Sequence, residues 1–279
     1  MYEAHWNLRS RPFENRLEGE FYYPSEVHQA ALLKLRYAIE NRRSAAVLSG
    51  TSGMGKSMVL QSLQDQLPDY VAAMISILYP AMEPNQLIRT IANRLCGESK
   101  DSQQSDMAAS IERIDNHLRE QSKHGKHVII AIDEAHLLEQ YGLIEPLRLL
   151  LNLGTPAPIG ESTLTLILCG QPTLLPHVQR NVSLDERIAV RCVLHRLALD
   201  ETVAYIGHRI RSAGGHTEKV FDTAAMETVF SLTQGIPRRI NRLCDLALMV
   251  GYAQERERIT SELIEEVNEE LTTPSLSME

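Results

Sequence analysis

The sequence predicts an α/β fold in which a parallel five-stranded sheet, flanked by helices, is followed by a small all-helical domain. Two observations predict it. Apolar, mostly short runs alternate with helical patterns between residues 45 and 194, and such alternation is typical of parallel sheets because parallel strands need long crossover connections. After about residue 199 the strand-like runs stop, and only helical patterns follow.

Each element follows from its own pattern. Apolar runs predict strands at residues 45–48, 71–78, 128–132, 164–169 and 189–194. Apolar residues at helical spacing predict helices at residues 58–67, 86–95, 111–120, 143–151, 201–213, 223–233, 238–253 and 261–271. The polar stretch 98–106 is interpreted as a surface loop. The chain therefore divides into an N-terminal segment (1–43), an α/β domain (44–199), a helical domain (200–271) and a tail (272–279).

Composition excludes several classes of protein. Of the 279 residues, 43% are hydrophobic and 23% are charged, which is enough to bury a core and excludes global disorder. The net charge of −8 argues against a strongly basic coat for nucleic acid, although a local patch can still bind phosphates. The longest apolar runs cover about a quarter of the roughly 20 residues that a membrane span needs. We therefore expect no transmembrane segment.

The cysteines and the N-terminus indicate where the protein works. Cys96, Cys169, Cys192 and Cys244 are widely spaced, and three of them lie in apolar segments, so we expect reduced thiols. The first ten residues contain no apolar stretch of the kind found in secretory signals. Both features predict a cytoplasmic location.

A phosphate-binding loop is predicted directly after the first strand. The match to G-x-x-x-x-G-K-[ST] consists of Gly50, Thr51, Ser52, Gly53, Met54, Gly55, Lys56 and Ser57. Glycines let the backbone N–H groups wrap around phosphate oxygens, and Lys56 brings a positive charge to the β and γ phosphates. Ser57 can place its hydroxyl on Mg²⁺ at the start of the following helix. We therefore predict binding of ATP with Mg²⁺.

A Walker B pattern follows at the third predicted strand, which ends in Asp133 and Glu134. Asp133 is suited to hold hydrated Mg²⁺, and Glu134 to act as the base that polarises the attacking water. A buried strand that meets solvent can also end in acidic residues, but the preceding phosphate loop favours the catalytic interpretation. The second carboxylate predicts hydrolysis rather than passive binding.

Two other motifs in the sequence lie in contexts that argue against their usual functions. Residues 133–136 spell the name of one helicase class, but such helicases need two RecA-like domains and this chain has a single phosphate loop, so His136 is interpreted as a helix-start residue. His124 and His127 have no cysteine or carboxylate at ligand spacing, so they indicate a turn before a strand rather than a metal pair.

With these features the chain resembles AAA+ ATPases, most of all the ExeA/GspA-like family of secretion and pilus-assembly ATPases, and more distantly the TniB/MuB-like transposition ATPases. The similarity covers nearly the whole chain. Its specific stretches are residues 1–2, 11–13, 21–25, 28, 31–32, 169–174, 186–188, 191, 205–209 and 235–243.

The resemblance implies further site residues. Gln171, after the fourth strand, matches the sensor of the γ-phosphate, with a plain loop glutamine before Pro172 as the alternative. Arg187 or Arg191 matches the arginine finger that enters a neighbouring subunit's site; Arg187 is preferred because Arg191 falls within an apolar run, and a surface ion pair is the alternative for either. Arg238 matches the second sensor in the helical lid.

The N-terminal segment, residues 1–43, matches the part of the family that flanks the adenine. Phe13, Tyr22 and Tyr23 would supply an aromatic wall for a flat base. Ser25 is also a plausible helix N-cap, so helix entry with core packing is the alternative interpretation of this stretch.

The resemblance also implies how the protein acts. It implies ATP hydrolysis to ADP and phosphate, a homo-oligomeric ring or filament with the arginine finger in trans, and an unidentified protein partner in secretion or pilus biogenesis. The alternative is an ATP-dependent DNA-binding regulator of transposition, and a third hypothesis is a nucleotide-gated adaptor with little turnover. Full-length secretion members continue into a transmembrane helix and a periplasmic peptidoglycan-binding domain. The present chain is therefore expected to be a stand-alone or truncated form, cytoplasmic or held at the inner face of a membrane by a partner.

Overall fold

The structure is a computed structural model that describes residues 1–14, 21–98, 106–154 and 161–272. Most of the predicted loop 98–106 and nearly all of the predicted tail 272–279 lie outside the described residues. The chain forms two compact units. The sheet unit contains Val27–Ser52 and Val59–Leu194, and the helical unit contains Met1–Glu26, Gly53–Met58 and the residues from His195 onward.

The sheet unit is built on five parallel strands: β1 (Ala45–Ser49), β2 (Val71–Ile77), β3 (His127–Ile132), β4 (Leu164–Gly170) and β5 (Ile188–Val193). Each lies within one residue of its predicted bounds. The strand order is β2-β3-β4-β1-β5. β1, β3 and β4 are buried along their whole length, which is why they are nearly continuous apolar runs in the sequence.

Helices flank the sheet. They are α1 (Glu26–Glu40), α2 (Lys56–Gln64), α3 (Pro84–Cys96), α4 (Met107–Lys123), α5 (Ile144–Leu150), α6 (Leu174–Arg180) and α7 (Val182–Asp185). Asp106 caps α4 by accepting a 2.8 Å hydrogen bond from the Ala109 N–H, and Pro84 opens α3, where a missing N–H is harmless. The confirmed architecture is an α/β sheet whose parallel strands all end at one edge, called the carboxyl edge below.

The helical unit contains α8 (Leu199–Ser212), α9 (Thr217–Val220), α10 (Thr223–Thr233), α11 (Pro237–Ala253) and α12 (Ser261–Thr272). The N-terminal aromatic residues belong to its core. Trp6 is buried and donates a 3.0 Å hydrogen bond to the Leu248 carbonyl oxygen, and the Phe13 ring packs edge-on against Phe221. The predicted segment 1–43 therefore divides near Glu26, because its first part is buried with the helices while α1 packs in the sheet unit.

A buried cation holds the N-terminal segment within this unit. The guanidinium of Arg209 on α8 donates hydrogen bonds to the backbone carbonyl oxygens of Pro12, Glu14 and Phe21, and it lies 4.8 Å from the centre of the Phe21 ring. Burial lowers its pKa, since desolvation disfavours the charged form. Carbonyl dipoles and an aromatic face offset that cost.

Among the described residues, no helix combines the length with the apolar character that crossing a bilayer requires.

Candidate functional site

The predicted phosphate loop joins β1 to α2. Gly53 and Gly55 have φ angles of +82° and +90°, which only glycine adopts without strain, so the two glycines create the turn that lets the backbone curl. The Gly50 N–H donates a 3.1 Å hydrogen bond to the Gly170 carbonyl oxygen at the end of β4. Lys56 is the first residue of α2 and is buried, with only 8% of its surface exposed, and the N-terminus of a helix is a usual place for a phosphate.

Asp133 and Glu134 follow β3 at the carboxyl edge. The Asp133 N–H donates to the Ile77 carbonyl oxygen at 2.8 Å, and an Asp133 carboxylate oxygen accepts the Glu134 N–H at 2.8 Å. Glu134 has φ 49° and ψ 33°, the left-handed conformation that non-glycine residues rarely adopt. Such backbone strain is concentrated at functional sites. One Asp133 carboxylate oxygen is thus engaged with the backbone of the turn, whereas the Glu134 side chain is 41% exposed.

The strand order places Gln171 between these two features. β4 lies between β1 and β3, so its C-terminal residue Gly170, followed by Gln171, separates the start of the phosphate loop from Asp133. Adjacent strands lie about 4.8 Å apart, so the ends of β1 and β3 are about 10 Å apart. Ligands bind outside the carboxyl ends of the strands in open parallel sheets. The sheet thus brings the start of the phosphate loop, the predicted base and the predicted sensor to one edge.

The two candidate finger arginines have partners within the chain. Arg187 donates a 2.6 Å hydrogen bond to the amide oxygen of Asn152, a neutral group. Arg191 lies on the exposed face of β5 and forms a 2.5 Å ion pair with Asp185. Their part in an oligomer stays a prediction.

Arg238 lies in the first turn of α11 and contacts the part of the phosphate loop that belongs to the helical unit. Its N–H donates a 3.2 Å hydrogen bond to the Gly53 carbonyl oxygen. A Cβ atom built on Gly53 would lie only 2.7 Å from the Arg238 Cβ, so this approach requires glycine in the loop. Its function as second sensor stays a prediction, because these contacts involve its backbone and Cβ rather than its guanidinium.

The aromatic residues proposed for the adenine wall are largely committed to packing. Phe13 is buried against Phe221, and the Tyr23 ring packs edge-on against Tyr205 with centroids 5.7 Å apart. A role beside the adenine stays a prediction for these residues.

His124 and His127 contact different groups. The Nε2 atom of the buried His127 lies 2.8 Å from the Thr165 hydroxyl, and the Nδ1 atom of His124 lies 2.9 Å from the Glu120 carbonyl oxygen.

Two residues at the carboxyl edge were missed from the sequence. Gly170 was not singled out as a site residue, yet a Cβ atom there would lie 2.9 Å from the His136 backbone nitrogen. His136 was interpreted as a helix-start residue, yet its Nδ1 lies 3.3 Å from a Glu134 carboxylate oxygen. The sequence does contain a signal for Gly170: it is a glycine at the end of a buried strand, directly before the candidate sensor Gln171. A glycine in a strand often marks a close approach of another part of the backbone.

The fold and the site define a class: P-loop NTPases of the AAA+ type, with a phosphate loop after β1, an acidic pair after β3 and a C-terminal helical unit. A family model described as an AAA domain matches residues 39–178, half of the chain, and the chain belongs to that family. It is also 32% identical over 264 residues to General secretion pathway protein A of Aeromonas hydrophila, a match that covers 93% of this chain and 46% of the relative. The chain thus spans about half the length of that relative.

Solved structures share the fold at low identity. The Aeropyrum pernix ORC2 protein superposes with a TM-score of 0.69 at 14% identity, covering 96% of this chain and 72% of that one. The Thermotoga maritima RuvB Holliday junction branch migration motor superposes with a TM-score of 0.57 at 17% identity, covering 90% and 70%. The family and fold matches confirm the predicted AAA+ membership and the ExeA/GspA-like resemblance. Nucleotide binding is what this fold implies.

Proposed function

We propose that the chain binds ATP with Mg²⁺ and hydrolyses it to ADP and phosphate, and that this cycle drives assembly or remodelling of a protein complex in secretion or pilus biogenesis. The main support for hydrolysis is the arrangement of residues at the carboxyl edge. There, Glu134 in its left-handed turn and the start of the phosphate loop flank Gln171. The similarity to General secretion pathway protein A supports the secretion-related role.

The donor set fits Mg²⁺. Ser57 is exposed at the start of α2, and Asp133 keeps a carboxylate at the carboxyl edge; hydroxyl and carboxylate oxygens are the ligands that Mg²⁺ prefers. When bound, the ion would neutralise charge on the phosphates. Ser57 and Asp133 are the residues that would hold it.

The other predicted site residues bind the phosphates, activate the water or sense the nucleotide. The phosphate-loop N–H groups and the Lys56 ammonium bind the phosphate oxygens. Glu134 orients the attacking water and accepts its proton, and Gln171 contacts the γ-phosphate. Arg238, in the first turn of α11, couples the helical unit to the presence of nucleotide.

We further propose that the protein acts as a homo-oligomer in the cytoplasm, or at the inner face of a membrane through a partner, with Arg187 as the arginine finger. Arg187 is preferred over Arg191, because Arg191 lies within strand β5 and pairs with Asp185 of the same chain. Mixing Arg187→Ala with Glu134→Gln tests this proposal. A finger acting in trans restores activity in hybrid interfaces, whereas activity equal to the sum of the separate proteins would contradict it.

A second candidate function is ATP-dependent DNA binding. Arg238, Arg239 and Arg242 are all exposed on α11, which makes a short basic strip on an otherwise acidic chain. Such a strip would contact DNA phosphates regardless of base sequence.

The deciding experiment is steady-state ATPase activity of the wild-type and Glu134→Gln proteins, each with and without double-stranded DNA at two salt concentrations. Loss of the general base should slow turnover by about 10²-fold or more while ATP still binds. Turnover that depends on Glu134 and is indifferent to DNA supports the protein-remodelling function. Stimulation by DNA that fades as salt rises would favour the second function, because phosphate contacts are salt-sensitive. Wild-type turnover in Glu134→Gln would refute Glu134 as the base.

A further inference from the structure

His136 lies on the 3₁₀ turn Ala135–Leu137, two residues after the proposed base. Its side chain is only 16% exposed, against 41% for Glu134, and its Nδ1 atom lies 3.3 Å from a Glu134 carboxylate oxygen. This separation is an ion-pair distance, but Nδ1 makes no hydrogen bond of regular geometry to any residue in the described ranges. A buried ring nitrogen without a regular partner costs free energy, so its placement next to a catalytic candidate calls for an explanation.

The backbone around His136 is held firmly. Gly170 approaches so closely that a Cβ atom there would lie 2.9 Å from the His136 nitrogen and 3.4 Å from the Ala135 nitrogen. The turn is therefore seated against the end of β4. The Leu137 and Leu138 N–H groups donate back to the carbonyl oxygens of Glu134 and Ala135 at 3.0 and 3.1 Å. The backbone that bears the His136 ring is therefore held in place, whereas the exposed Glu134 side chain can still rotate.

We propose that His136 is a positioning residue for Glu134. With its proton on Nδ1, the ring donates a hydrogen bond to the nearer Glu134 carboxylate oxygen after a small rotation of that side chain. This bond leaves the second carboxylate oxygen aimed at the water. Preorganising a catalytic carboxylate in this way raises the rate of the chemical step without adding a contact to ATP. The inference rests on the proposed function of Glu134 as base.

The chain offers a matched control. His177 on α6 makes a comparable contact through its other ring nitrogen: Nε2 lies 3.0 Å from a Glu139 carboxylate oxygen, with side-chain exposures of 23% and 41%, and Arg180 pairs with the same carboxylate at 2.9 Å. Glu139 has no proposed part in catalysis. Each variant therefore removes a mostly buried histidine beside a carboxylate, and only His136→Ala should slow turnover.

The test measures kcat and KM for ATP with melting temperature for a set of variants. His136→Ala should lower kcat about tenfold with KM within twofold of wild type, because partners that orient a catalytic group typically contribute one to two orders of magnitude. His136→Asn should recover most of the rate, since its amide nitrogen takes the place of Nδ1. His136→Gln, whose amide nitrogen takes the place of Nε2, should not. His177→Ala should keep the wild-type kcat.

A double-mutant comparison separates this inference from the proposed function. In a Glu134→Gln background, His136→Ala should change the residual turnover little, because residues that act as a unit are non-additive. If wild type does not hydrolyse ATP, or Glu134→Gln remains active, the proposed function fails. If Glu134 is required but His136→Ala matches wild type, or if Asn and Gln restore the rate equally, the positioning role is refuted.

Discussion

Gly170→Ala perturbs the contact that joins three strand ends. The Gly170 carbonyl oxygen accepts the Gly50 N–H of the phosphate loop at 3.1 Å, and its Cα faces the turn that follows Asp133. An added Cβ atom would lie 2.9 Å from the His136 nitrogen, 3.2 Å from a Leu174 methyl and 3.4 Å from the Ala135 nitrogen. The closest contact is with backbone, which cannot rotate away as a side chain can.

The magnitude follows from that distance. An ordinary contact begins near 3.4 Å, so strand and turn must separate by about 0.5 Å, and such overpacking typically costs about 1–3 kcal/mol. A displacement of 1 Å in a catalytic group can cost about 10²-fold in rate, so half of that should lower kcat about tenfold. ATP affinity should change little, because Lys56 and the loop glycines are unaltered.

The assay combines urea unfolding, followed by circular dichroism, with steady-state ATP hydrolysis. Gly251→Ala is the control, because its Cβ would also be crowded, at 2.7 Å from the end of the Ile259 side chain, but within the core of the helical unit. That variant should keep the wild-type kcat. Wild-type stability and kcat in Gly170→Ala would refute the contact, and lost stability with an unchanged kcat would refute its link to catalysis.

Three further predictions use other parts of the molecule. Lys56→Ala should abolish detectable ATP binding in a calorimetric titration, because it removes the cation facing the phosphates, and unchanged affinity would contradict the site. Burial lowers the pKa of His127 to about 4 from 6.5, so the contribution of His127 to the free energy of unfolding should be constant above pH 6.5 and fall by about 3 kcal/mol towards pH 4, where the unfolded chain binds a proton that the folded chain does not. The loss of stability towards pH 4 should be smaller in His127→Gln, which keeps a donor for Thr165, and a loss as large as in wild type would assign it to other groups, such as His117 and His208. Phe13→Ala should lower the stability of the helical unit by about 3–5 kcal/mol, read from the fluorescence of Trp6, the sole tryptophan, in urea; a loss below about 1 kcal/mol would show that the N-terminal segment is not part of that core.

Elements buried on all sides were the most predictable. β1, β3 and β4 are mostly apolar because both of their faces are covered, and a short apolar run bounded by turn residues is typical of a fully buried strand. Helix α10 has its predicted bounds, residues 223–233, and the structure shows both ends: the Asp222 side chain accepts the Ala225 N–H at 2.6 Å, and Gln234 is left-handed. For helix α1 the sequence predicted only a possible N-cap at Ser25, because apolar residues such as Leu33 lie on its exposed side and blur the helical pattern.

The sequence could not predict which unit the N-terminal segment packs in. Its aromatic residues predicted a buried surface, but not which one, because burial against a base and burial against helices require the same side chains. Arg209 shows the reason most clearly, because it binds backbone carbonyl oxygens of residues nearly 200 positions away. Every residue has a backbone carbonyl, so the residue types at those positions do not reveal the contact.

The sequence by itself determined the phosphate loop, the acidic pair after β3, the five strands and the helical C-terminal unit, because each depends on residues close together in the chain. Only the tertiary structure decided the strand order, the position of Gln171 between β1 and β3, and the approach of Gly170 to the turn that carries Glu134 and His136. These depend on which strands pair. Pairing is set by packing over the whole sheet, so no local pattern records it.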